Sequence, residues 1–146
     1  MSRKQSREFA MQLIYQIGLR GGEDRNELIE LAYEESENEY SDNDRAYIED
    51  VVNGVFSNLK ELDKVVSGNA KGWKLGRIAR IDLSILRLSI YEIKYRDDIS
   101  FNISINEAVE LAKKYGTEDS GSFINGILGK AVPSDNYIKK GPADGV

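Results

Sequence analysis

Apolar positions recur at three- and four-residue intervals along most of this chain, and that spacing predicts helices. Phe9, Ala10, Leu13, Ile14 and Ile17 form one stripe, which the Gly21-Gly22 pair ends. Asp24 with Glu27 three residues on predicts a capping box that opens a short helix, with Leu28, Leu31 and Ala32 turned inward. Ser41 to Asp44 caps a longer helix whose Ile48, Val51, Val52, Val55, Phe56 and Leu59 keep the same spacing. A fresh cap pattern from Asn58 to Glu61 predicts a bend or restart, and Leu62, Val65 and Val66 continue to Gly68 and Gly72. Trp73 anchors a connection into residues 78–95. There Ile81, Ile85, Leu86, Leu88, Ile90 and Ile93 cover so much of the circumference that the helix should be central.

The last third reads as two short helices. Ser104 with Glu107 predicts a capping box at the start of the first, and Gly116 a left-handed stop after Tyr115. Pro133 ends the second, and residues 134–146 are expected to be a disordered tail. The stretch Ile99–Ile103 is too short and polar for a strand, and nothing else alternates over six residues. The expectation is an all-α domain over residues 1–133, with about seven helices in two small bundles sharing the central helix 78–95. The final helix carries more polar residues than folding needs: Asp119, Ser120, Ser122 and Asn125.

Composition narrows the chemistry. The chain has no cysteine and no histidine, which removes disulfides, thiolate or imidazole metal sites and Ser-His-Asp triads. Its glycine loops lack the Lys-Ser/Thr of a phosphate loop, and the acidic segment fails calcium-loop spacing. We therefore expect no enzyme, no cofactor and no metal. No apolar run is long enough for a membrane span, and Met1–Arg7 has no signal-peptide core, so a cytoplasmic protein is expected.

The net charge of −5 is unevenly spread. Residues 23–50 hold 12 acids against 2 bases, leaving 13 acids and 18 bases elsewhere. A molecule polarised in this way can bind polyanions despite its overall sign. Arg3, Lys4 and Arg7 stand at a helix start, where the macrodipole favours acids instead. Lys4, Glu8, Gln12 and Tyr15 project opposite the apolar stripe, with Arg7 at its edge. Such a face suits phosphate contact and base stacking; a merely solubilising face is the plainer alternative. In the final helix Phe123 falls at the apolar boundary, beside Asn125 and free first-turn N–H groups, as a single-stranded base would need. Asp82 lies among apolar residues, either as an ion-pair partner of Arg77 or Arg80 or as a charged spot on a protein-binding surface.

These residues resemble the NusB family of bacterial transcription antitermination factors. The likeness runs through Arg7-Glu-Phe-Ala-Met-Gln-Leu-Ile-Tyr15, Ile81-Asp-Leu-Ser-Ile-Leu-Arg-Leu-Ser-Ile-Tyr-Glu92, Ile105-Asn-Glu-Ala-Val-Glu-Leu-Ala-Lys-Lys-Tyr-Gly116 and Ser120-Gly-Ser-Phe-Ile-Asn-Gly-Ile-Leu128. It implies binding of boxA single-stranded RNA in ribosomal RNA leaders together with NusE, a small-subunit ribosomal protein. It also implies action within an RNA polymerase antitermination complex. By the same resemblance Arg3, Lys4 and Arg7 match a basic RNA-contacting N-terminus. Asp119, Ser120, Phe123 and Asn125 match a second RNA-facing region, and Asp82 an acidic position of the NusE interface. The basic N-terminus is interrupted here by Gln5 and Ser6, so RNA binding by the chain alone should be weak.

Two rival readings stand beside this one. A similar domain precedes the catalytic part of some ribosomal RNA cytosine methyltransferases, but the chain has no room after Pro133 for a methyl-donor fold and no cysteine nucleophile. A stand-alone protein-interaction bundle would use the acidic segment 23–50 instead. Apolar helix faces suit either a core or a homodimer seam.

Overall fold

A computed structural model describes residues 2–132. Among them are seven helices and no strand: α1 (Arg3–Leu19), α2 (Arg25–Glu35), α3 (Asp42–Ser57), α4 (Leu59–Asn69), α5 (Arg80–Tyr95), α6 (Phe101–Tyr115) and α7 (Ser120–Ala131). A single 3-10 turn, Leu75–Arg77, precedes α5. The all-α expectation is met, while the proposed tail 134–146 lies outside the described residues. The chain divides into two compact units at Asn58–Leu59, so α5 belongs to the second.

In the first unit, α1 opens with a capping box that the stripe did not reveal. The Gln5 N–H donates to Ser2 Oγ at 3.1 Å, and the Ser2 N–H to Gln5 Oε1 at 3.0 Å. The box expected at Ser41 and Asp44 forms, at 3.0 and 2.9 Å. The one expected at Asp24 does not. Asp24 is left-handed at φ 60° and makes no cap bond; its carboxylate accepts from Arg20 instead. Ala10, Met11, Leu13, Ile14 and Ile17 of α1 are buried, as are Ile48, Val51, Val52 and Val55 of α3. Helix α2 is turned differently from the expectation: Ile29 and Tyr33 are buried, while Leu31 is 46% exposed. The cause is an aromatic cluster in which the Tyr33 ring stacks on Phe9 at 5.6 Å and meets Tyr40 at 5.4 Å.

The restart near Asn58 occurs, although Asn58 serves α3 rather than α4: its side-chain amide donates to the Gly54 carbonyl at 2.8 Å. In the second unit α5 is buried around most of its circumference, through Ile85, Leu86, Leu88, Ile90 and Ile93. Arg87 on α5 grips Asp63 on α4 with two bonds of 2.8 and 2.9 Å. Helix α6 begins earlier than expected, because Ser100 is the cap and accepts the Ile103 N–H. Ser104 is not a cap at all. It is buried, and its hydroxyl donates to Glu92 Oε1 at 2.8 Å, supplying a donor to a carboxylate inside the unit.

The expected left-handed stop is also corrected. Gly116 has φ −93° and ψ −162°, an extended conformation open to any residue. Glycine is needed for space: a Cβ there would lie 2.6 Å from Ser120 Cβ and 2.8 Å from the Ala112 carbonyl oxygen.

Replacing Ser104 by Ala should destabilise the protein by about 1–3 kcal/mol in urea unfolding, since the Glu92 carboxylate loses a buried donor. A loss below about 0.5 kcal/mol, typical of a surface change, would contradict that role.

Candidate nucleic-acid and partner interface

The sequence-derived candidates fall into two groups, one in each unit. In the first unit they ride on α1. Lys4 and Gln12 are exposed, Tyr15 is partly exposed, and Arg3 is half-buried. Arg7 is only 4% exposed. Its place is therefore inside the edge of the apolar stripe rather than on the open face. Both arginines meet a residue that the sequence pattern did not single out, Tyr47 of α3. The Arg3 guanidinium carbon stands 4.3 Å over its ring centre and that of Arg7 5.8 Å.

In the second unit the structure gathers Asp82, Asp119, Ser120 and Phe123 around one hollow of about 310 Å³, with Trp73 and Arg77 also on its wall. Asn125 lies apart, in a larger groove of about 660 Å³ between α6 and α7 that also holds Asn106, Lys113 and Ser122. Asp119 and Asn125 are exposed and Phe123 partly so. Trp73 is not the anchored residue its position suggested: it is 52% exposed and meets the Phe123 ring edge-on at 5.9 Å. An aromatic in a Gly-flanked connection was the available signal. Together the two rings give the hollow an open apolar wall on which a planar group could rest.

Ser120 is buried at 2% exposure, contrary to a surface role. Its hydroxyl accepts the Thr117 N–H at 2.9 Å, and its own N–H donates to the Thr117 carbonyl at 3.1 Å. The serine thus closes the turn into α7, and its N–H is not one of the free donors expected at that helix start.

Asp82 is 7% exposed and makes no ion pair with Arg77 or Arg80. Burial raises its carboxyl above the ordinary aspartate value, partly offset by the neighbouring Ser120 hydroxyl. One of its oxygens, Oδ1, has no hydrogen-bond partner among the described residues. Among those residues there is also no cluster of acids able to hold a metal, and no helix long and apolar enough to cross a membrane.

The arrangement defines, among the described residues, an all-helical protein with two polar–aromatic surface groups. The family model for the NusB family matches residues 4–133, and the chain belongs to that family. It is 53% identical to the transcription antitermination protein NusB of Acetivibrio thermocellus, over 99% of this chain and 95% of that protein. With the protein of the same name from Geobacter sulfurreducens it shares 46% identity, over 87% of this chain and 91% of the relative. The T. maritima NusB structure superposes with a TM-score of 0.83 at 29% identity, over 99% of this chain and 96% of that one. A NusB solved with NusE and double-stranded RNA gives 0.78 at 26% identity, over 88% and 94%.

Between the ordinary aspartate pKa and the raised value of Asp82, the folded chain holds a proton that the unfolded chain has lost. Stability therefore falls as pH rises through that window. Asp82→Asn removes the titration, so its thermal stability relative to the parent should improve from about pH 4 to about pH 7. A difference that stays constant with pH would contradict the raised value.

Proposed function

We propose that the chain is a non-enzymatic, cytoplasmic transcription antitermination factor. It binds boxA single-stranded RNA of ribosomal RNA leaders together with NusE and helps RNA polymerase resist termination. The observation that carries this reading is near full-length identity of 53% to an antitermination protein, in a fold shared with a NusB that was solved with NusE and RNA. The stand-alone interaction bundle has no comparable support.

In this reading Lys4, Gln12 and Tyr15 meet the RNA from α1, while Asp119, Phe123 and Asn125 meet it from the start of α7. Arg3 and Arg7 supply charge beside Tyr47. Ser120 acts from within, by fixing the turn that presents Asp119 and Phe123. Phe123 offers a ring for an unstacked base, which suits single-stranded RNA better than a continuous duplex. Asp82 belongs to the NusE contact: it lines a hollow where its carboxylate suits a protein partner's donor groups and the exposed Trp73 suits its apolar ones. A homodimer seated on either surface group would compete with that assembly.

Binding to a boxA-type strand, a scrambled strand and a duplex should be compared with and without NusE. The boxA strand should bind best, and NusE should strengthen it. Phe123→Ala should weaken binding by about 1–3 kcal/mol. Lys4→Ala should flatten the slope of log K against log salt by about 0.7, the share of one single-strand phosphate contact. Equal affinity for all three RNAs in both conditions would overturn the proposal.

A further inference from the structure

Phe123 and Asn125 line separate cavities on the two sides of α7, and Thr117 lines both. Two residues apart on a helix, they stand about 160° from one another across its outer face. Between them on that face come Ser122 and Gly126, with Gly129 a turn further on, all exposed. A Cβ added at Gly126 or Gly129 would meet nothing within 4 Å, so the ridge between the two cavities carries little bulk.

The groove between α6 and α7, about 660 Å³, has features that packing alone does not ask for. Asn106, Ser122 and Asn125 are exposed in it, and their side chains take part in no hydrogen bond among the described residues. Gly121 keeps it open. A Cβ there would lie 3.8 Å from both Lys113 Cγ and Val109 Cγ1, which is ordinary contact, and alanine is the better helix former. The fold would therefore accept alanine, and glycine leaves room in the groove instead. The charged members are Glu110, Lys113 and Glu118, and Lys113 already meets Glu110 at 3.5 Å. That acidic balance repels phosphate and accepts from N–H groups, so it suits a base whose phosphates stay outside.

We infer that this groove is a second base pocket and that one RNA strand straddles α7. One unstacked base rests against Phe123, the strand passes over Ser122 and Gly126, and a nearby base enters between α6 and α7. The second base carries an exocyclic amino group, as cytosine, adenine and guanine do. The two carboxylates can only accept, and the Asn106 and Asn125 amides can turn to complete the base edge. The inference rests on the RNA reading above and deepens it, adding Asn106 and Gly121 to the residues that meet the strand.

The test uses the full chain with NusE and a boxA-type strand, intact or with one abasic position at a time. The proteins are the parent, Phe123→Ala, Asn106→Ala and Gly121→Ala. Asn106→Ala removes an exposed amide and Gly121→Ala fills the groove. Each should weaken RNA binding by about three- to tenfold with thermal stability kept. Asn106→Ala keeps the test decisive if Gly121→Ala disturbs the helix start. The abasic position whose effect vanishes in Phe123→Ala should differ from the one whose effect vanishes in Asn106→Ala. At the latter position cytosine should bind better than uracil, and equal binding would overturn the assignment of the base. Parental RNA affinity in both groove variants, with Phe123→Ala weakened, would overturn this inference alone. So would weaker binding of NusE to those variants without RNA, which would make the groove a protein contact. Failure of the parent to bind any RNA with NusE would overturn the reading on which it rests.

Discussion

The second unit's polar surface depends on the tight approach between the end of α6 and the start of α7. Ser120 is buried there, takes the Thr117 N–H, and sits so close to Gly116 that no side chain fits at that position. The next residues are fixed as a consequence. Asp119 is left outside and Phe123 falls one turn later, against the edge of Trp73. The same serine lies beside Asp82, so the acid on α5 and the aromatic on α7 share one wall. A surface group of this kind is presented by the backbone beneath it, and binding residues held so need little reordering when a ligand arrives.

The first unit solves a different problem. Its acidic stretch lies mostly on α2 and α3, while its bases gather at the start of α1. Helix α3 contributes to both sides. Its capping box uses Asp44, whose carboxyl is held below the ordinary value chiefly by the Ser41 backbone N–H. One turn further, Tyr47 gives the arginines a buried ring. The Asp44 carboxylate is thus tied to backbone, and the Arg3 and Arg7 guanidinium groups meet a ring on the same helix.

Much of the fold was legible because amphipathic stripes survive any tertiary arrangement: α1, α3, α5 and the break at Asn58 all follow from spacing. The errors share one cause. Ser100 and Ser104 are both plausible caps for α6, and the Ser104–Glu107 spacing favours the wrong one. What decides is a carboxylate on the preceding helix, Glu92, that takes the Ser104 hydroxyl inside the unit. Asp24 looks like a cap until its left-handed backbone turns the side chain toward Arg20. Gly116 reads as a conformational need and proves to be a spatial one. Among the candidate site residues, exposure of Lys4, Gln12 and Asn125 follows from helix phase. The burial of Arg7 and Ser120 does not, because it depends on Tyr47 and Thr117, which no periodicity marks. Trp73 was misjudged because an aromatic is expected inward, whereas here its ring forms an open wall with Phe123.

The central claim is that one RNA is met by residues from the start of α1 and from the start of α7, with NusE present. Chemical-shift mapping tests it most directly, by adding a boxA-type strand to the isotope-labelled chain already bound to NusE. The account predicts RNA-dependent shifts at Lys4, Gln12 and Tyr15, and at Asp119, Phe123 and Asn125, with a scrambled strand producing neither set. Shifts confined to residues 23–50, or identical for both strands, would contradict it.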